Sequence, residues 1–231
     1  MILFAADCHG DFVPLIEEAG PATAVVLLGD QEPQGDLAVE LGPGVAPKTW
    51  WIYGNHDSDD PECMVHHASM ANRNLHCRVV EIEGMRIAGL GGVFRQKKFG
   101  VDKTTRLDGI ANVRPYDTRE SIARLRRGRV NVAKDFTTIF PEDIEALLAL
   151  AGKVDILVTH EAPESHALGF QIIGDLARAM GVKMLIHGHH HERYSATLAG
   201  GIRVEGIGMA GMLIEWKRPE DGMFWVDPGR V

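Results

Sequence analysis

The chain has 231 residues, of which 45% are hydrophobic and 24% charged, the balance of an ordinary globular protein, which excludes a disordered chain or a collagen-like fibre. On a prior of about 150 residues per domain this reads as a single domain over residues 1–231. No apolar run approaches the roughly 18 residues that cross a bilayer. The N-terminus lacks the basic start of a secretion signal, and Cys8, Cys63 and Cys77 are odd in number with no CxxC pair. The expectation is a cytoplasmic protein with no membrane contact, no disulfide framework and no thiolate zinc site.

The formal net charge of −8 is unevenly spread. From Arg95 to Lys134, twelve Lys or Arg stand against four Asp or Glu, a local charge of +8 that leaves −16 on the other 191 residues. A basic insert at about 94–140 is therefore expected. A charge run of this kind is either a solvated face, as the arginines Arg124, Arg126, Arg127 and Arg129 suggest, or a surface that draws in anions, nucleic acid included.

In chain order, Ile2–Ala6, Ala24–Leu28, Thr49–Tyr53, Val154–Val158 and Lys183–Ile186 are short runs of Val, Ile, Leu and aromatics that predict strands buried on both faces. Phe12–Ala19 and Phe170–Met180 carry apolar residues at three-to-four spacing, and Pro141-Glu142-Asp143 opens a helix through Ile144–Ala151. Val79–Leu90, broken at Glu83-Gly84, and Tyr194–Leu213, broken at Gly200-Gly201, read as hairpins of a second sheet. The rhythm is α/β.

Each of the five strands runs into residues able to hold a metal: Asp7-Cys8-His9, Gly29-Asp30, Gly54-Asn55-His56-Asp57, Thr159-His160 and Gly188-His189-His190-His191. The C-terminal edge of an α/β sheet is where ligands bind. A lone Asp or His at a strand end is usually a turn residue or cap, but five such ends in one chain point to a shared site. Oxygen and imidazole donors without thiolate suit Mn, Fe, Zn or Ni. Strand alternation turns Cys8, His187 and His190 away from these donors, and His66, His67, His76 and His166 lie outside the motifs, as packing or surface residues.

Asp-x-His, Gly-Asp, Gly-Asn-His-Asp, Thr-His and Gly-His-x-His, in this order, resemble the calcineurin-like metallophosphoesterase superfamily. The resemblance implies a four-layer α/β/β/α sandwich with two divalent ions, manganese first, with iron, zinc or nickel as alternatives. It implies Asp7, His9 and His191 on one ion, Asn55, His160 and His189 on the other, and Asp30 bridging both. It further implies attack by a hydroxide between the metals on an anionic phosphoester, with His56 at the leaving-group oxygen and Asp57 orienting that imidazole.

The phosphoprotein phosphatases of this superfamily carry an arginine in the second and third blocks. This chain has Gly29-Asp30-Gln31-Glu32-Pro33-Gln34-Gly35 and Tyr53-Gly54-Asn55-His56-Asp57 instead, so both are missing. The Gly-Asn-His-Asp form is closer to phosphodiesterases, small phosphatases and nucleases. Arg95, at the start of the insert, is the candidate to grip the substrate phosphate. The expectation is a phosphomonoesterase or phosphodiesterase, the diester slightly favoured, with protein phosphatase or nuclease as alternatives. The rival from another class is a silent metal-binding scaffold. Oligomeric state has no sequence signal.

Overall fold

A computed structural model of the chain describes residues 1–95, 101–112, 118–120, 133–209, 214–216 and 225–226. The first sheet joins β1 (Ile2–Ala5), β2 (Ala24–Leu27) and β3 (Thr49–Trp51) in parallel, and β10 (Ile214–Trp216) and β11 (Trp225–Val226) extend it antiparallel beyond β1. The second holds β5 (Met85–Leu90), β6 (Ile156–Thr159), β7 (Met184–His187) and β9 (Ile202–Gly206) in parallel, with β4 (Val79–Ile82) and β8 (Tyr194–Leu198) antiparallel at its edges. All five expected strands form, and both expected hairpins turn at the glycine breaks. The second hairpin pairs Tyr194–Leu198 with Ile202–Gly206, and positions 210–213 of the expected arm lie outside the described residues.

The α-helices given whole by the described residues are α1 (Val13–Glu18), α2 (Leu37–Val45), α3 (Pro61–His66), α4 (Ala133–Phe136), α5 (Pro141–Leu148) and α6 (Gln171–Met180). Their ends follow local chemistry. The Asp36 carboxylate accepts from the Ala38 and Val39 amides and starts α2, while Gly181 takes the left-handed conformation (φ 70°) that ends α6. In α5 the Asp143 carboxylate accepts from the Phe140 amide at 2.8 Å, closing the first turn.

Because strand side chains alternate, each sheet has two apolar faces and each face needs a partner layer. Phe4, Val26 and Leu28 of the first sheet's strands meet Ile87, Val158 and Ile186 of the second in a core between the sheets. Leu3, Val25 and Leu27 turn outward onto Leu15, Leu37 and Leu41 of α1 and α2. On the far side Leu90, Leu157 and Leu185 pack on Ile144 and Leu147 of α5 and Ile173 and Leu176 of α6. Helices thus flank a pair of facing sheets. Trp51 is 1% exposed and donates its indole N–H to the Met70 carbonyl, so truncating it to Ala costs roughly 3–5 kcal/mol. Among the described residues no helix is long and apolar enough to cross a membrane.

Of the insert's basic residues, Arg106 pairs with Asp175 at 2.7 Å, Arg119 with Asp143 at 2.6 Å and Lys134 with Asp59 at 3.3 Å. Lys97, Lys98, Arg114, Arg124, Arg126, Arg127 and Arg129 lie outside the described residues.

Candidate metal centre

The parallel strands of both sheets end on one edge, and the loops leaving them carry the predicted donors. Asp7, His9 and His191 place ligating atoms within 4.8 Å of one another, and Asp30, His160 and His189 do the same. The Nε2 atoms of His9 and His191 approach to 3.2 Å. The His160 Nε2 lies 3.3 Å from Asp30 Oδ2 and 3.1 Å from Asn55 Oδ1. All seven predicted donors therefore gather on the edge.

The backbone there is unusual. Asp7 (φ 54°), His9 (φ 46°), Asp30 (φ 53°), His189 (φ 76°) and His191 (φ 56°) all take the left-handed conformation, which costs about 1–2 kcal/mol for a residue with a Cβ. Strain of this kind persists only where surrounding structure over-determines it, and it clusters at functional sites. The strain also explains how His189 and His191 clear the sheet. β7 ends at His187, so strand alternation stops applying just before them. His187 is buried and bonded to the Tyr194 hydroxyl at 2.7 Å, away from the donors.

Close packing at the edge depends on glycine. Gly54 lies against the Asp30 carboxylate and the His160 ring, in the space a Cβ would need. Asp57 is fully buried. Its carboxylate accepts from the amides of Asp30 (3.0 Å), Glu32 (2.9 Å) and Gly54 (2.8 Å) and ties two strand-end loops together. The expectation that Asp57 orients His56 differs from this arrangement. The His56 Nδ1 faces Asp59 Oδ2 at 2.7 Å, because the short 3₁₀ turn His56–Ser58 brings residue 59 back under the ring.

Burial and charge set the protonation of the donors. Burial pushes the Asp7 carboxyl up to about 6. Burial also opposes charge on Asp30 and His160, but their mutual attraction outweighs it: the Asp30 carboxyl lies well below the usual range and the His160 imidazole rises to about 10. His160 Nδ1 sits 2.8 Å from the Leu28 carbonyl, which fixes it as donor and leaves Nε2 toward the centre. Asp30 Oδ2 is shielded from solvent and has no hydrogen-bond partner. A buried carboxylate oxygen that faces an imidazole at 3.3 Å and makes no hydrogen bond is what a bound cation would satisfy, so the residues fit the two ions that the resemblance implies.

Two supporting groups carried no motif. Glu32 bonds His9 Nδ1 and turns its Nε2 toward His191. Glu161 lies 3.6 Å from His189 Nε2, accepts from the Phe94 amide at 3.1 Å, and is raised to about 7 by burial. Glu161 directly follows the motif His160 and Glu32 follows Asp30 by two residues, which was the available signal. A further trio, His76, Cys77 and Asp143, is already occupied by charge, since Arg119 Nη1 and Nη2 bond Asp143 at 2.6 and 2.8 Å. Arg95 donates to the hydroxyls of Thr138 (3.1 Å) and Thr137 (3.0 Å) and borders the same edge.

A fold of facing sheets with a His, Asp and Asn edge defines a metallophosphoesterase. The calcineurin-like phosphoesterase family model matches residues 1–193, and the chain belongs to that family, whose members are dimetal-dependent phosphoester hydrolases. An uncharacterized protein of Haemophilus influenzae is 39% identical over 214 residues, covering 90% of this chain and 91% of its own. Among solved structures, a dimetal phosphatase from Danio rerio superposes with a TM-score of 0.55 at 12% identity, over 91% of this chain and 88% of that one. A phosphopantetheinyl hydrolase from Mycobacterium tuberculosis gives 0.53 at 16% identity, over 90% and 89%.

Proposed function

We propose that this chain hydrolyses phosphoesters at a dinuclear centre, a phosphodiester in preference to a monoester. The observation that carries the reading is the pair of three-donor clusters sharing one edge, with the buried Asp30 Oδ2 making no hydrogen bond. Asp7, His9 and His191 would hold one ion and Asn55, His160 and His189 the other, with Asp30 facing both. Manganese is the first candidate, on the oxygen and imidazole donors. Two such ions, when bound, supply a nucleophile at neutral pH and neutralise phosphoryl oxygens.

The chain's own residues do the rest. His56, half-exposed at the edge with its ring centroid 5.6 Å from that of His9, holds a proton at Nε2 for the leaving-group oxygen. Asp59 fixes that tautomer through Nδ1. Arg95, held in plane by Thr137 and Thr138, presents its remaining N–H groups to a phosphoryl oxygen. The preference for a diester follows from charge: with both family arginines missing, one guanidinium suits a monoanion better than a dianion. A cytoplasmic setting agrees with three free cysteines.

The test is hydrolysis of a chromogenic phosphodiester beside its monoester with added Mn²⁺. The diester should be cleaved faster, and His56→Ala should lower kcat by about 10²–10⁴. Asp30→Asn should lose both metal and turnover. Arg95→Ala should raise KM about tenfold with metal content intact. Faster monoester cleavage would point to a small phosphatase. Two bound metals with neither ester cleaved would favour the scaffold reading.

A further inference from the structure

Two clefts flank the metal edge, and they differ in charge. The cleft beside Asn55 and His189 measures about 640 Å³. It is lined by Phe94, Phe170 and Leu168 and carries two cations, Arg95 and Lys103, against one carboxylate, the buried Glu161. The other, of about 400 Å³ on the His56 side, is lined by Glu32, Asp59, Asp60 and Glu62.

We infer that the cleft beside His189 binds the organic part of the substrate, and that this part has an apolar body and a second anionic group, a carboxylate or another phosphate, which meets Lys103 while Arg95 faces the phosphoryl group. The inference rests on the phosphoesterase reading of the edge. Among the described residues neither cation forms a close ion pair with a carboxylate: Arg95 bonds the two threonine hydroxyls, with Glu161 and Asp59 near enough to act on its charge, and Lys103 bonds the Ala167 carbonyl at 3.4 Å. Leu168, 52% exposed at the cleft, offers apolar surface to a ligand. His190 also lines it, stacked on His166 with centroids 4.1 Å apart, and its shielded Nε2 has no hydrogen-bond partner. The acidic cleft repels a second anion, so charge alone sorts which way the substrate lies.

The test is calorimetry on the Mn²⁺-loaded full chain with benzylphosphonate, 4-carboxybenzylphosphonate and 1,4-bis(phosphonomethyl)benzene. The second anionic group should tighten binding about tenfold, and Lys103→Glu should abolish that gain. The carboxylate and phosphonate arms tell which anion the cleft prefers. Equal affinity for all three probes, or a gain that survives Lys103→Glu, overturns the inference. Failure of the phosphoesterase reading appears separately, as absent turnover of the chromogenic esters, while the three affinities still decide the cleft.

Discussion

The His56 imidazole is held by Asp59, with Nδ1 and Oδ2 2.7 Å apart, and Lys134 of the insert meets the other oxygen of the same carboxylate at 3.3 Å. Asp57, next to His56 in sequence, instead serves three backbone amides. The two aspartates should therefore fail differently. Asp59→Asn should lower kcat about tenfold with KM, metal content and thermal midpoint little changed. Asp57→Ala should leave three buried donors unpaired and destabilise the fold by several kcal/mol, on the order of 1–3 for each, which thermal denaturation would register. Equal effects of both on kcat alone would contradict this division.

Metal loading should strengthen as pH rises. Burial pushes the Asp7 carboxyl up to about 6, and the Asp30 carboxylate, outweighing burial, raises the His160 imidazole to about 10; both must lose protons to ligate. Binding then releases protons, which calorimetry in buffers of different ionisation enthalpy would measure. Affinity independent of pH between 6 and 9 would contradict the assignment of His160.

Gly54→Ala should empty the centre without unfolding the chain. The added methyl meets the Asp30 carboxylate and the His160 ring, whereas the three apolar cores lie elsewhere. Expected is loss of metal by elemental analysis with an unchanged far-ultraviolet circular dichroism spectrum.

Acid should weaken the joint between Arg119 and α5. Burial opposes charge on Asp143, but His76 and Arg119 outweigh it and hold its carboxyl down near 2. A depressed carboxylate stabilises the fold fully above its unfolded value near 3.8, and that contribution is lost as pH falls through about 2. The amount is on the order of 2 kcal/mol. Asp143→Asn should lower stability at pH 7 and flatten its dependence on pH below 4, as denaturant titration would report.

The strands and most donors were legible because apolar runs and strand-end polar residues are local patterns. Thr159-His160 and Gly188-His189 could be placed on one edge from their order alone. The pairing of His56 with Asp59 was not, since it depends on a 3₁₀ turn that sequence spacing does not distinguish from an extended exit. Glu32 and Glu161 were missed because they support donors and form no spaced motif of their own. α2 went unread because Gly42 and Pro43 interrupt its apolar periodicity.

The left-handed backbone at Asp7, His9, Asp30, His189 and His191 bears on how fast an ion is captured. The conformations are fixed when the sheets close, so the donors stand in place before any cation arrives. Capture should then follow the rate at which the ion sheds water, with no slow step from chain rearrangement, and stopped-flow mixing with a rapidly exchanging ion should give a single phase linear in metal concentration.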